Sequence, residues 1–140
     1  MDGATAVGRE GIPQDSRSEA KSAQLLERLE RLLEETAEVE VELSRAEGVI
    51  RGVPHYSVIE GRAHAMGQRL SRAVQQRQMN EVVAGQPLTA KCPGCGTRCE
   101  LEACKREVKA ADGPLELQEL RGDCPCCRRS FFPSAGDLGV

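Results

Sequence analysis

"CPGCGTRCELEACKREVKAADGPLELQELRGDCPCC", residues 92–127, opens and closes on the same device, a pair of cysteines two residues apart. Cys92 and Cys95 form the first knuckle, Cys124 and Cys127 the second. That spacing lets a tight turn aim both thiolates at one ion, while backbone N–H groups of the turn hydrogen-bond the sulfurs. Between the knuckles, "CELEACKREVKA" (99–110) and "PLELQELRG" (114–122) are partly alternating stretches, separated by "ADGP". Asp112-Gly113 is a turn dipeptide, so two antiparallel strands joined there are expected. Their hairpin would bring both knuckles to one tetrahedral four-sulfur site, a pattern that favours zinc or mononuclear iron. With cysteine at all four positions, no open coordination position is left for water, and the expected Zn2+ is structural.

Composition makes the same demand. The 140 residues include one tyrosine, two phenylalanines and no tryptophan. Aromatic side chains bury the most area per residue, so little apolar core is available to the cysteine-rich part. A structural zinc, worth roughly 10–16 kcal/mol of apparent binding energy coupled to folding, would take its place. The N-terminal stretch has no apolar segment of the secretory kind, and no run is long enough to span a membrane. A cytoplasmic, reducing location is therefore expected, where cysteine pairs hold metal more often than they form disulfides. The seven cysteines are also an odd number.

Ahead of the cysteines the texture is helical. Residues 1–15 are polar and Gly-rich and are expected to be disordered. From about 18 to 47, Leu25, Leu29, Leu32, Thr36, Val39, Leu43 and Ala46 recur alternately four and three apart, one helical stripe that Leu26 and Leu33 widen. Gly48, Gly52 and Pro54 end it. A second helix, about 57–84, is expected to start at a capping box, Ser57 with Glu60, and to carry the stripe Ile59, Ala63, Met66, Leu70 and Val74. Either a helical hairpin or a coiled coil would cover these stripes. In a parallel homodimer Glu35 would face Glu40 and Glu42 would face Glu47, so charge favours the hairpin. Charge is unevenly spread in the same sense: residues 16–47 carry nine acidic and five basic groups, a net of −4. Residues 51–84 carry five arginines against Glu60 and Glu81, a net of +3.

The expected architecture is thus a small α+β fold: a helical region over 16–86, a zinc-ribbon-like domain over 87–133 and a flexible tail over 134–140. Cys99, Cys104 and Cys126 are left over. Cys126 could replace Cys127 only by shortening the second knuckle to C-x-C, and Cys127 is favoured. A redox role for the adjacent Cys126 and Cys127 would be strained. His55 and His64 lack a partner at metal-ligand spacing and read as surface or packing residues. No Ser-His-Asp or Cys-His arrangement and no Gly-rich phosphate loop is present, and the glutamates of 27–47 read as a solvated helix face.

Three stretches, "IEGRAHAMGQRLSRAVQQRQMNEVV", "CPGCGTRC" and "DGPLELQELRGDCPCCRRSFFP", resemble the N-terminal region of bacterial insertion-sequence transposases of the ISKra-type group. The resemblance covers about residues 56–139. It implies a zinc-ribbon-like element, with Cys92, Cys95, Cys124 and Cys127 as ligands, ahead of a DDE-type nuclease domain. The chain ends just past "FFP", where that catalytic part would begin, so no enzymatic activity is expected. The expected function is a metal-stabilised binding module for DNA or for a transposase chain, with Arg69, Arg72, Arg77, Arg128 and Arg129 as candidate phosphate contacts. A merely solvated basic face explains those arginines as well. Two other functions fit the pattern: a protein-interaction adaptor acting through its helices, on itself or another chain, and a rubredoxin-like iron electron carrier. Neither a membrane nor a small-molecule substrate is expected.

Overall fold

The computed structural model describes residues 14–134. The element order is α1 (Gln14–Ala46), α2 (Tyr56–Ala84), β1 (Thr89–Lys91), β2 (Arg98–Ala110), β3 (Gly113–Asp123) and β4 (Ser130–Phe131). Two helices followed by one four-stranded antiparallel sheet make a small α+β fold, as expected. The expected disordered segment 1–15 lies outside the described residues except for Gln14 and Asp15, which begin α1; the tail 134–140 lies outside except for Ser134. Among the described residues no helix is long and apolar enough to cross a membrane. The chain divides into two compact units, Met1–His55 and Tyr56–Val140.

The first unit contains α1. Its 33 residues are rich in Leu, Glu, Arg and Ala, all good helix formers. The helix stops at a Schellman motif built on Gly48. Gly48 has φ 72°, its N–H donates to Arg45 O at 3.0 Å, and Val49 N–H donates to Ser44 O at 3.0 Å. These bonds satisfy carbonyls that the helix end leaves open, in a left-handed conformation glycine adopts without strain.

The second unit is a meander whose strands lie in the order β1-β2-β3-β4. The long pair β2–β3 runs from Leu101 opposite Gly122 to Ala110 opposite Gly113, so the loop itself is Ala111-Asp112 and Gly113 is the first residue of β3. Gly113 has φ 109°, and a Cβ there would stand 3.2 Å from Arg72 Nη1. The φ calls for glycine, and an added Cβ would also press on the Arg72 guanidinium. The short strands β1 and β4 extend the sheet at its far end, with Lys91 opposite Arg98 and Asp123 opposite Ser130. Each knuckle is consequently the turn of its own small hairpin. In a meander, the first and third turns fall at the same end of the sheet.

Helix α2 belongs to this unit and packs along β3. The boundary expected at residues 86–87 falls inside the unit. Its docking differs in kind from the expected apolar stripe: Leu70 and Val74 stay exposed, while polar side chains reach the hairpin. Ser71 Oγ donates to Asp112 Oδ2 at 2.5 Å, Arg72 Nη1 to Asp112 O at 2.9 Å and Gln76 Nε2 to Glu116 O at 2.9 Å. Because β4 pairs only with Gly122 and Asp123, this helix lies where the edge of β3 would otherwise be open. Leu115, Leu117, Leu120 and Glu119 are buried along β3.

Candidate metal centre

Both knuckles are built to one plan. In the first, Cys92 N–H donates to Thr97 O at 2.8 Å and Gly96 N–H donates to Cys92 O at 2.9 Å. In the second, Cys124 N–H donates to Arg129 O at 3.0 Å and Arg128 N–H donates to Cys124 O at 2.9 Å. Each turn also aims backbone donors at its first sulfur: Gly94 N–H to Cys92 Sγ and Cys127 N–H to Cys124 Sγ, both at 3.4 Å. N–H groups pointed at sulfur favour the thiolate, the form that binds metal.

The meander brings the Sγ atoms of Cys92, Cys95, Cys124 and Cys127 within 4.8 Å of one another. Cys95 Sγ lies 3.5 Å from Cys124 Sγ. Four thiolates at about 2.3 Å from a tetrahedral zinc would be separated by roughly 3.8 Å, so this donor set fits a metal ion closely. Cys126, adjacent to Cys127 in sequence, is exposed and outside the group. Cys99 is buried against Cys92 and Cys124, with Phe131 and Cys127 packed on the same cluster. Its Sγ donates to Thr97 O at 3.4 Å, and burial raises its pKa, as suits a packed thiol.

The four thiols are not equivalent. Hydrogen bonding to Thr97, chiefly from its hydroxyl 3.0 Å away, lowers the Cys95 thiol to about 6. Cys127 is raised to about 12, first by its hydrogen bond with Cys95 and then by burial. Cys95 therefore gives up its proton more readily than Cys127, and a bound cation would supply the charge that keeps both deprotonated. Thr97 is a residue that the cysteine spacing did not point to; the one signal for it is a hydroxyl two positions after a ligand.

A brace holds the second knuckle on the sheet. Asp123 Oδ1 accepts from Ser130 Oγ at 2.6 Å and from Arg121 Nη2 at 3.0 Å. The Ser130 bond is the largest reason for the lowered pKa of Asp123, followed by Arg121. Beside the centre lies an open cleft of about 350 Å³, lined by Cys92, Pro93, Gly94, Arg129, Ser130 and Phe131.

The five candidate arginines are divided between α2 and the second knuckle. Arg128 and Arg129 are exposed on the second knuckle and Arg69 is exposed on α2. Arg72 is engaged with Asp112, and Arg77 pairs with Glu81 at 3.5 Å. No protein family, curated protein or solved structure matches the chain.

Proposed function

We propose that this chain is a zinc-stabilised, non-catalytic binding module that contacts DNA or a transposase-like partner. The observation that carries the reading is the convergence of four cysteine sulfurs from two pseudo-equivalent knuckles. All four donors come from the protein, so an ion held there would act as a cross-link between the two ends of the meander. Arg128 and Arg129, projecting from the turn that the ion would fix, are the cations best placed for phosphate; Arg69 adds a third on α2. Arg72 and Arg77 contribute through their partners instead. The likeness of "CPGCGTRC" and "DGPLELQELRGDCPCCRRSFFP" to the N-terminal region of ISKra-type transposases supports the DNA reading.

Elemental analysis together with salt-dependent DNA binding tests it. One zinc per chain and a DNA affinity that falls steeply between low and moderate salt are expected. Protein without metal, or with no DNA binding at low salt, would remove the corresponding half of the proposal. A red protein would assign the site to iron in place of zinc. One observation favours an adaptor that never touches DNA: the leucine stripe of α1 is exposed.

A further inference from the structure

Within its own unit, helix α1 presents an exposed apolar face. Along its stripe exposure runs from 40% at Leu43 to 59% at Leu26, with Leu25, Leu29, Leu32, Leu33 and Val39 between. The face repeats every seven residues: Leu25, Leu32, Val39 and Ala46 hold one seam position, Leu29, Thr36 and Leu43 the other. A stripe of this kind is closed by a second helix, and the charges beside it select which.

On one flank of the seam lie Lys21, Arg28, Glu35 and Glu42, seven apart, with both cations in the N-terminal half and both carboxylates in the C-terminal half. A parallel copy sets Glu35 against Glu40 and Glu42 against Glu47. An antiparallel copy sets this flank against itself, and the polarity of the flank then becomes complementary. With Leu29 opposite Leu32 of the second copy, Arg28 faces Glu35 and Lys21 faces Glu42, each twice by symmetry. On the other flank Leu26 meets Leu33, which widens the seam there. A shift of one heptad in either direction sets Arg28 against Arg28 or Glu35 against Glu35. The favoured register also places Asp15 opposite Ala46, so its twofold axis falls at the middle of α1 and the helices Gln14–Ala46 overlap from end to end. The like-charge pair of Glu19 with Glu40 also occurs twice by symmetry and falls toward the outer parts of the seam, where solvent screens it.

We propose that α1 is a homodimerisation element and that two copies of this chain pair through it, antiparallel, in this register. The proposal stands on α1 alone and does not depend on the metal or on DNA.

The test uses the full metal-bound chain, sedimentation equilibrium and a zero-length carbodiimide cross-linker read by mass spectrometry. Lys21 and Glu42 of one helix are about 31 Å apart, as they would be across a parallel pair. A Lys21–Glu42 cross-link confined to the dimer band is therefore diagnostic of the antiparallel register. Glu35→Arg should weaken the dimer about tenfold or more, because each new guanidinium would face Arg28 of the other copy. Arg28→Glu and Glu35→Arg together should restore the dimer. Glu35→Arg alone would instead strengthen a parallel dimer, because position 35 would there face Glu40. Circular dichroism of each variant checks that α1 stays helical. A chain that is monomeric at tens of micromolar would overturn the proposal. So would a dimer tightened by Glu35→Arg, or one without the Lys21–Glu42 link.

Discussion

Gly96 and Arg128 hold the same station in the two knuckles. Each follows the second cysteine of its pair, each donates its N–H to the carbonyl of the first cysteine, and each has positive φ, 75° for Gly96 and 54° for Arg128. Only the first is a residue type that adopts this conformation without steric cost. An arginine there carries a steric cost that its glycine counterpart does not.

Arg128→Gly is accordingly expected to raise the stability of the metal-bound protein by up to about 1 kcal/mol, the left-handed penalty less the entropy glycine adds to the unfolded chain. Thermal melts under fixed free zinc measure it. On the proposed DNA-binding reading, the same variant should bind DNA less tightly, with a shallower salt dependence. Stabilisation with DNA binding unchanged would separate Arg128 from the phosphate contacts.

The adjacent thiols give a sharper contrast. Cys127→Ala should lose the metal and Cys126→Ala should keep it, since only Cys127 lies in the four-sulfur group. Thr97→Val, which removes the hydroxyl 3.0 Å from Cys95 Sγ, should weaken zinc about 10- to 100-fold in competition with a chromophoric chelator.

Position 122 should not accept a side chain. A Cβ on Gly122 would stand 2.6 Å from Phe131 Cζ and 3.0 Å from Leu101 Cδ2. Gly122→Ala must displace the Phe131 ring from the cysteine cluster, at a cost of about 1–3 kcal/mol in chemical denaturation of the metal-bound protein. Phe131→Leu in the same chain should recover part of that loss.

Glu119 is 1% exposed and accepts one bond, from Arg106 Nη2 at 2.7 Å. Its Oε2 and Arg106 Nε are buried with no partner among the described residues. Arg106 also stacks over Phe132, 5.6 Å from the ring centre. Arg106→Ala strands a buried carboxylate and should cost about 3 kcal/mol, whereas Arg106→Leu with Glu119→Leu should be close to neutral. Urea denaturation of the single and double variants separates the two.

Metal removal should act unevenly along the sheet. Chelation is expected to open both knuckles and β4 to hydrogen exchange, because bonds from the four sulfurs to a bound ion would be what joins them. Ala111-Asp112, held by Ser71 and Arg72 of α2, should exchange more slowly.

Much of this arrangement can be read from the chain. Two C-x-x-C pairs around one hairpin specify where the sulfurs go, and the runs between Gly and Pro specify both helices to within a few residues. The docking of α2 is not legible in the same way. Ser71 and Arg72 bond to a turn aspartate and Gln76 to a strand carbonyl, contacts that leave no apolar period in the sequence. The strands β1 and β4, three and two residues long, are likewise too short to show alternation and exist because the knuckles fold their flanks back onto β2 and β3. Glu119 is hidden by its own pattern. It continues the face of Leu115 and Leu117, but as a glutamate it reads as solvent-facing.

The position of α2 has a consequence for how the sheet behaves when it is cut from its context. Apart from Gly122 and Asp123, β3 has no strand on its outer side among the described residues, and Leu115 and Leu117 lie in that part of it. Exposed, such a strand would offer amides, carbonyls and an apolar row to any extended segment, the template on which β-aggregates grow. A ribbon expressed from residue 87 onward would hold its metal ligands and yet be prone to polymerise. Removal of the helix is thus expected to leave a sheet edge open to misassembly.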